Sequence, residues 1–230
     1  NSILKCNFDT VDFGSFVSPK AIPQMQDTVE VLAQLDLSQT KSKLLAIIAN
    51  TKGAEMASVH KEIQYLGFPF SISENFQMRN THKTIAESLI TLNEILEIAN
   101  KTNKEVVAYL SMGFGNPYGD PWNVDIVGEW TEKLANMGVT ILSLSDTVGS
   151  STPEDIDYLF SNLIPKYPNV EIAPYCSIGK VRYQLTSYVE HKSEFENASL
   201  EFQKILDKYI VSDKNEEIED LVYQELKRLN

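Results

Sequence analysis

Asp12-Phe13-Gly14-Ser15-Phe16-Val17-Ser18-Pro19-Lys20, running on into Ile22-Pro23-Gln24-Met25, passes within a few residues from apolar strand to polar, cationic loop. Val11, Phe13 and Phe16 suit a buried strand, whereas Ser15, Ser18 and Lys20 lie where it runs out. A buried strand ending in hydroxyls and a cation predicts an α/β fold with its chemistry gathered at the carboxyl ends of the strands.

Outward from this segment, short β-rich runs near residues 10–16, 44–49, 63–72, 105–111, 139–144 and 170–175 alternate with helical patterns. Such alternation predicts βα units, with a parallel sheet inside and helices outside. After the third strand, Thr84-Ile85-Ala86-Glu87 has the form of a capping box, and Ile85, Leu89, Leu92, Leu96 and Ala99 follow at helical spacing. A helix starting near Asn123 is expected to bury Val127, Trp130, Leu134 and Met137 and to stop at Gly138. Thr152-Pro153-Glu154 opens another, with Ile156, Leu159, Phe160 and Leu163 turned inward. Beyond Ser177 the rhythm is lost, and three helical segments are expected at 181–191, 194–209 and 216–229. The chain therefore divides into a βα part, 1–177, and a helical segment, 178–230, packing on it.

With 230 residues, 43% of them hydrophobic, the chain can bury a sizeable core. Its net charge of −12, from 32 acidic against 20 basic residues, argues against non-specific binding to nucleic acid or to an anionic membrane. An anionic substrate would need a local basic patch. Two cysteines, Cys6 and Cys176, make no disulfide framework and no structural zinc motif, which suits a reducing compartment. No apolar run reaches the roughly 18 residues of a membrane span, and the first residues lack a signal-peptide pattern. A soluble, cytoplasmic protein is expected. The chain opens without Met, so its start is expected to lie upstream.

Four motifs in order resemble the hydroxymethylglutaryl-CoA lyase family of TIM-barrel metallolyases over about residues 8–172. They are the opening segment; Ser73-Glu74-Asn75-Phe76 with Arg79-Asn80, similar to the loop after the family's fourth strand; Gly115-Asn116-Pro117-Tyr118-Gly119, similar to the loop after its fifth; and Leu142-Ser143-Leu144-Ser145-Asp146-Thr147-Val148-Gly149. The resemblance implies a TIM-barrel-derived but incomplete α/β fold of six parallel βα units, matching family strands two to seven, with a helical C-terminal region. Two open sheet edges would then favour homo-oligomers. It also implies a carbon-carbon lyase of leucine degradation: retro-aldol cleavage of 3-hydroxy-3-methylglutaryl-CoA to acetyl-CoA and acetoacetate, assisted by a divalent cation, Mg²⁺ or Mn²⁺, on an acyl-CoA substrate.

Residue by residue, the resemblance puts Asp12 and Asp146 in catalytic positions, and Ser15, Ser73 and Ser143 in the substrate pocket. Lys20 and Arg79, with Lys52, are candidates for the CoA phosphates. Each has a plainer alternative, because strand-end Asp and Ser commonly cap turns and surface Lys is commonly solvated. Metal ligands are not found. Tyr175 and Ser177 stand where the family would place its His-x-His pair, and His60, His82 and His191 have no paired spacing. Two alternatives stay open at this point: a non-catalytic relative that binds a CoA ester or a protein, and a citramalate- or isopropylmalate-synthase-like enzyme.

Overall fold

A computed structural model describes residues 1–6 and 8–175. The helical segment expected at 178–230, with Cys176, Ser177 and His191, lies outside the described residues.

Six strands form one sheet in sequence order: β1 (Thr10–Ser15), β2 (Lys43–Ile47), β3 (Ile63–Ser71), β4 (Glu105–Ser111), β5 (Ile141–Ser145) and β6 (Glu171–Tyr175). Every neighbouring pair is parallel. Each connection passes through helix, from α1 (Thr28–Ala33) and α2 (Thr51–Ser58) through α3 (Glu74–Thr81), α4 (Ile85–Thr102) and α5 (Val124–Asn136) to α6 (Pro153–Lys166). The expected strands are all present, their ends within two residues of the predicted ones. No helix among the described residues is long and apolar enough to cross a membrane.

The start and stop signals act as their chemistry predicts. Thr84 and Glu87 close a reciprocal capping box on α4, which buries Leu92, Ile95, Leu96 and Ala99 and ends at Asn103 in the left-handed conformation. Asn123 caps α5, and Gly138 follows it with φ 101°. Thr152 and Asp155 box α6 behind Pro153. Only Leu159 and Leu163 of that helix are fully buried, with Phe160 half-buried. Ile156 departs from expectation at 39% exposed, although its spacing puts it on the same face as Leu159 and Leu163.

A second departure is α3, in a stretch expected to be loop. Gln77 is its one buried residue, so no apolar periodicity announces it. Its ends hold it instead: the Ser73 hydroxyl accepts from the Phe76 amide, and His82 closes it in the left-handed region. Glu74 adds a carboxylate to the first turn and accepts the Ile85 amide at 3.2 Å, tying α3 to the start of α4.

Both faces of the sheet are apolar, as in a parallel sheet enclosed on two sides. Leu44, Ala46, Ile48, Leu66, Phe68, Phe70, Ala108, Leu110, Leu142 and Leu144 pack against the helices. Leu45, Tyr65, Val107 and Tyr109, with Ile47 and Ile141, cover the other face. A bulge in β1 sets which residues share it. Asp12 pairs with Leu45 and Gly14 with Ala46, leaving Phe13 as an extra residue. In a regular strand Asp12 and Ser15, three apart, would face opposite sides; the extra residue turns both to the face away from the helices.

Candidate active site

On that face the Tyr109 hydroxyl of β4 donates to Asp12 Oδ2 of β1 at 2.7 Å. Three strand intervals separate β1 from β4, about 14 Å across a flat sheet at ordinary spacing. Even with the two side chains leaning toward each other, a Tyr and an Asp do not span that distance, so the sheet curls and this face is concave. Ser143, in register with Tyr109 across β4 and β5, stands beside it on the same face. Asp12 itself is exposed to water at the open side of this face. Desolvation raises its carboxyl above the usual Asp range, and the Tyr109 hydrogen bond works against that rise without cancelling it.

Other sequence-predicted residues are engaged at the rim, where the strands end. Ser73 is buried, and its hydroxyl donates to Asp120 Oδ2 at 2.5 Å while capping α3. Asp120 also receives the Asn75 side-chain amide at 2.6 Å and the Asn75 backbone amide at 3.1 Å. These bonds hold its carboxyl below the usual range, the Ser73 hydroxyl contributing most. Asp146 accepts from the Ser150 amide at 2.8 Å, the Ser151 amide at 3.0 Å and the Ser151 hydroxyl at 2.6 Å. Burial works to raise its carboxyl, but the Ser151 hydroxyl together with the amides of Ser151, Ser150 and Gly149 outweighs it and holds the group low. Ser15 turns its oxygen to the Val17 amide at 3.1 Å.

The cations lie further out. Lys20 is exposed, and Arg79, also exposed, sets its guanidinium 5.1 Å from the centre of the Tyr118 ring. Tyr118 stacks on Phe76, so Arg79 belongs to the packing that joins α3 to the segment after β4. Thus the structure brings together Asp12 and Ser15 on one face of β1, and Ser143 with Tyr109 on β4 and β5. Ser73 and Asp146 spend their polar atoms within the rim.

Tyr109 was not singled out in the sequence, where it reads as one more apolar residue of a buried strand. Its signal is parity: Tyr109 alternates with Ala108 and Leu110, which pack against the helices. Asp120 was missed as well, since Gly-Asp-Pro reads as an ordinary turn. Met112, just past β4, is buried with φ 61° and receives Thr147 Oγ1 as acceptor for its amide at 2.9 Å; nothing in the local sequence announces it.

Among the described residues no three of His, Cys, Asp and Glu gather where they could hold a metal ion. His60 packs its ring 5.6 Å from that of Phe16, and His82 serves as the α3 cap.

Comparison with known proteins agrees with this architecture. The chain is 30% identical over 173 residues to the hydroxymethylglutaryl-CoA lyase YngG of Bacillus subtilis, covering 75% of this chain and 57% of that protein. It is 34% identical over 168 residues to the mitochondrial hydroxymethylglutaryl-CoA lyase of Bos taurus, covering 72% and 50%. The crystal structure of the B. subtilis HMG-CoA lyase superposes with a TM-score of 0.68 at 30% identity, over 75% of this chain and 58% of that one. The chain thus spans about half the length of the curated relatives it matches. Such neighbours are TIM barrels, and the six strands here form a partial one. The sequence model of the HMGL-like family matches residues 8–176, most of the length, and the chain belongs to that family.

Proposed function

We propose that this chain performs the carbon-carbon lyase reaction named for its relatives: retro-aldol cleavage of 3-hydroxy-3-methylglutaryl-CoA. A carboxylate on the concave face of an HMGL-like sheet, raised in basicity by desolvation and held at one oxygen by a phenol, carries this reading. Asp12 takes the proton of the tertiary hydroxyl. The oxygen's electron pair then closes the ketone of acetoacetate as the neighbouring carbon-carbon bond breaks. Electrons of that bond pass into the thioester enolate, which takes up a proton to give acetyl-CoA. A carboxylate held above the ordinary Asp range is a stronger base for this transfer than an unperturbed one. Tyr109 fixes Oδ2, and Ser143 supplies a hydroxyl beside it for a substrate oxygen.

Lys20, the nearest cation along the chain to the β1 exit, and Arg79 on α3 are the proposed partners of the CoA phosphates. The divalent cation that the family resemblance implies would act as a Lewis acid on the developing alkoxide. The described residues do not fit such an ion, since no ligand cluster forms among them.

The test is acetoacetate release from 3-hydroxy-3-methylglutaryl-CoA by the purified chain, with Mg²⁺ or Mn²⁺ supplied, beside Asp12→Asn. Release that falls at least about a hundredfold in the variant is expected, the loss typical of a removed general base. Release no higher than that of Asp12→Asn would overturn the proposal.

A further inference from the structure

Gly67 lies in the middle of β3 and is buried. A methyl group at this position would fall 2.7 Å from Leu45 Cδ2, 2.8 Å from Ile47 Cδ1 and 2.9 Å from Tyr109 Cε2. All three belong to the concave face. The first two are tips of flexible aliphatic chains from β2. The third is the ring that carries the hydroxyl to Asp12.

Backbone conformation does not call for glycine here, because Gly67 is not among the residues with positive φ. Glycine weakens a strand interior, and its presence in one marks a place where another group approaches closely. Register identifies that group. Gly67 pairs with Val107, so Tyr109 lies two residues further along β4 on the same face. To reach β1, its ring must lean across β3, over the position that any other residue would fill with Cβ.

We propose that Gly67 is a positioning residue of the candidate active site: its missing side chain is the seat across which the Tyr109 ring reaches the Asp12 carboxylate. This deepens the reading of Asp12 as the base, and it assigns to β3 a role that its apolar sequence does not suggest. A side chain at residue 67 would lift the ring, and the hydroxyl would leave Oδ2.

Titration of the Asp12 carboxyl by ¹³C NMR tests this without turnover, its resonance being identified by its loss in Asp12→Asn. Four proteins are compared: the wild type, Tyr109→Phe, Gly67→Ala and the double variant. Removing the phenol takes away a bond that favours the ionised form, so the Tyr109→Phe midpoint moves up. Gly67→Ala is expected to move it up by at least half as much, and the double variant to match Tyr109→Phe alone. A Gly67→Ala midpoint at the wild-type value, or a double-variant shift equal to the sum of the two, overturns the proposal. If Gly67→Ala does not fold, Gly67→Ala/Leu45→Val takes its place against Leu45→Val. That change removes the methyl nearest the added carbon and leaves the conflict with Tyr109. Coupled midpoints without acetoacetate release would sink the lyase reading and keep the seat; release with uncoupled midpoints would do the reverse.

Discussion

Replacing Asp120 with Ala should loosen the rim without touching the concave face. Three hydrogen bonds to a carboxylate are lost: one from the buried Ser73 hydroxyl at 2.5 Å and two from Asn75, which is exposed. Bonds to charged groups contribute about 1.5–3 kcal/mol when sheltered and less where water competes. We assign about 1.5 kcal/mol to the Ser73 bond and about 0.5 kcal/mol to each Asn75 bond, roughly 2.5 kcal/mol together. For a unit of this size that lowers the melting temperature by about 5–10 °C. Ser73→Ala should cost a similar amount, because it removes the same bond and the α3 cap, the latter about 1 kcal/mol. The double variant should fall short of the sum by about 1–1.5 kcal/mol, the coupling expected of direct partners. The sign with pH follows from the lowered Asp120 carboxyl. Its contribution is fully present above the unfolded-state value, near 4, and is lost as pH falls through the lower folded value. Asp120→Asn should therefore differ most from wild type above about pH 5 and converge with it in stronger acid. Urea unfolding at several pH values measures all of this. Additive single variants, or an Asp120→Ala cost under about 0.5 kcal/mol, would refute the reasoning.

Two further outcomes follow from the same geometry. Asp12 has its folded-state carboxyl raised, so its ionised form works against folding; stability is higher below the unfolded value and declines as pH rises through the folded one. Asp12→Asn keeps an acceptor for Tyr109 and removes the charge, so its melting temperature at neutral pH should equal or exceed that of wild type while activity falls, the two converging in stability near pH 3, and calorimetry with the acetoacetate assay reads both. Thr84→Ala removes the hydroxyl half of the α4 capping box and should cost about 1 kcal/mol, read by urea unfolding and by faster amide exchange confined to the first turn.

The strands were legible because a parallel sheet covered on both sides writes itself as short continuous apolar runs, and α4, α5 and α6 because their caps are local chemistry. By contrast, α3 carries no apolar stripe. It exists because Ser73, Glu74 and His82 satisfy its ends and because Asp120, some 45 residues on, docks its first turn. Asp12 was legible from its motif, but its partner was not, since a phenol in a buried strand declares no role until a curled sheet brings β1 opposite β4. Gly67 shows the same limit. A glycine in a strand announces a close approach, and the approaching ring lies 42 residues further along the chain. Ser73 and Asp146 were ambiguous for a different reason: capping and catalysis ask for the same side chains at the same strand ends, so residue type alone does not choose between them.

Hydrogen-bond partners sort the carboxylates. Asp120 and Asp146 are surrounded by amides and hydroxyls that prefer the ionised form, and both are held low, which makes them firm anchors and poor bases. Asp12 has one phenol against the desolvation of the surrounding strands, and moves the other way. Under the proposed function, this separation leaves Asp12 as the carboxylate suited to take a proton. All three are tied to β4 and the segment after it: Tyr109 to Asp12, Asp120 to Ser73, and Phe114, whose carbonyl accepts the Ser150 hydroxyl at 3.1 Å, to the loop that Asp146 closes. The strand that delivers the phenol to the concave carboxylate thus also fixes the rim on both sides of it, so the rim and the concave face are set by one backbone.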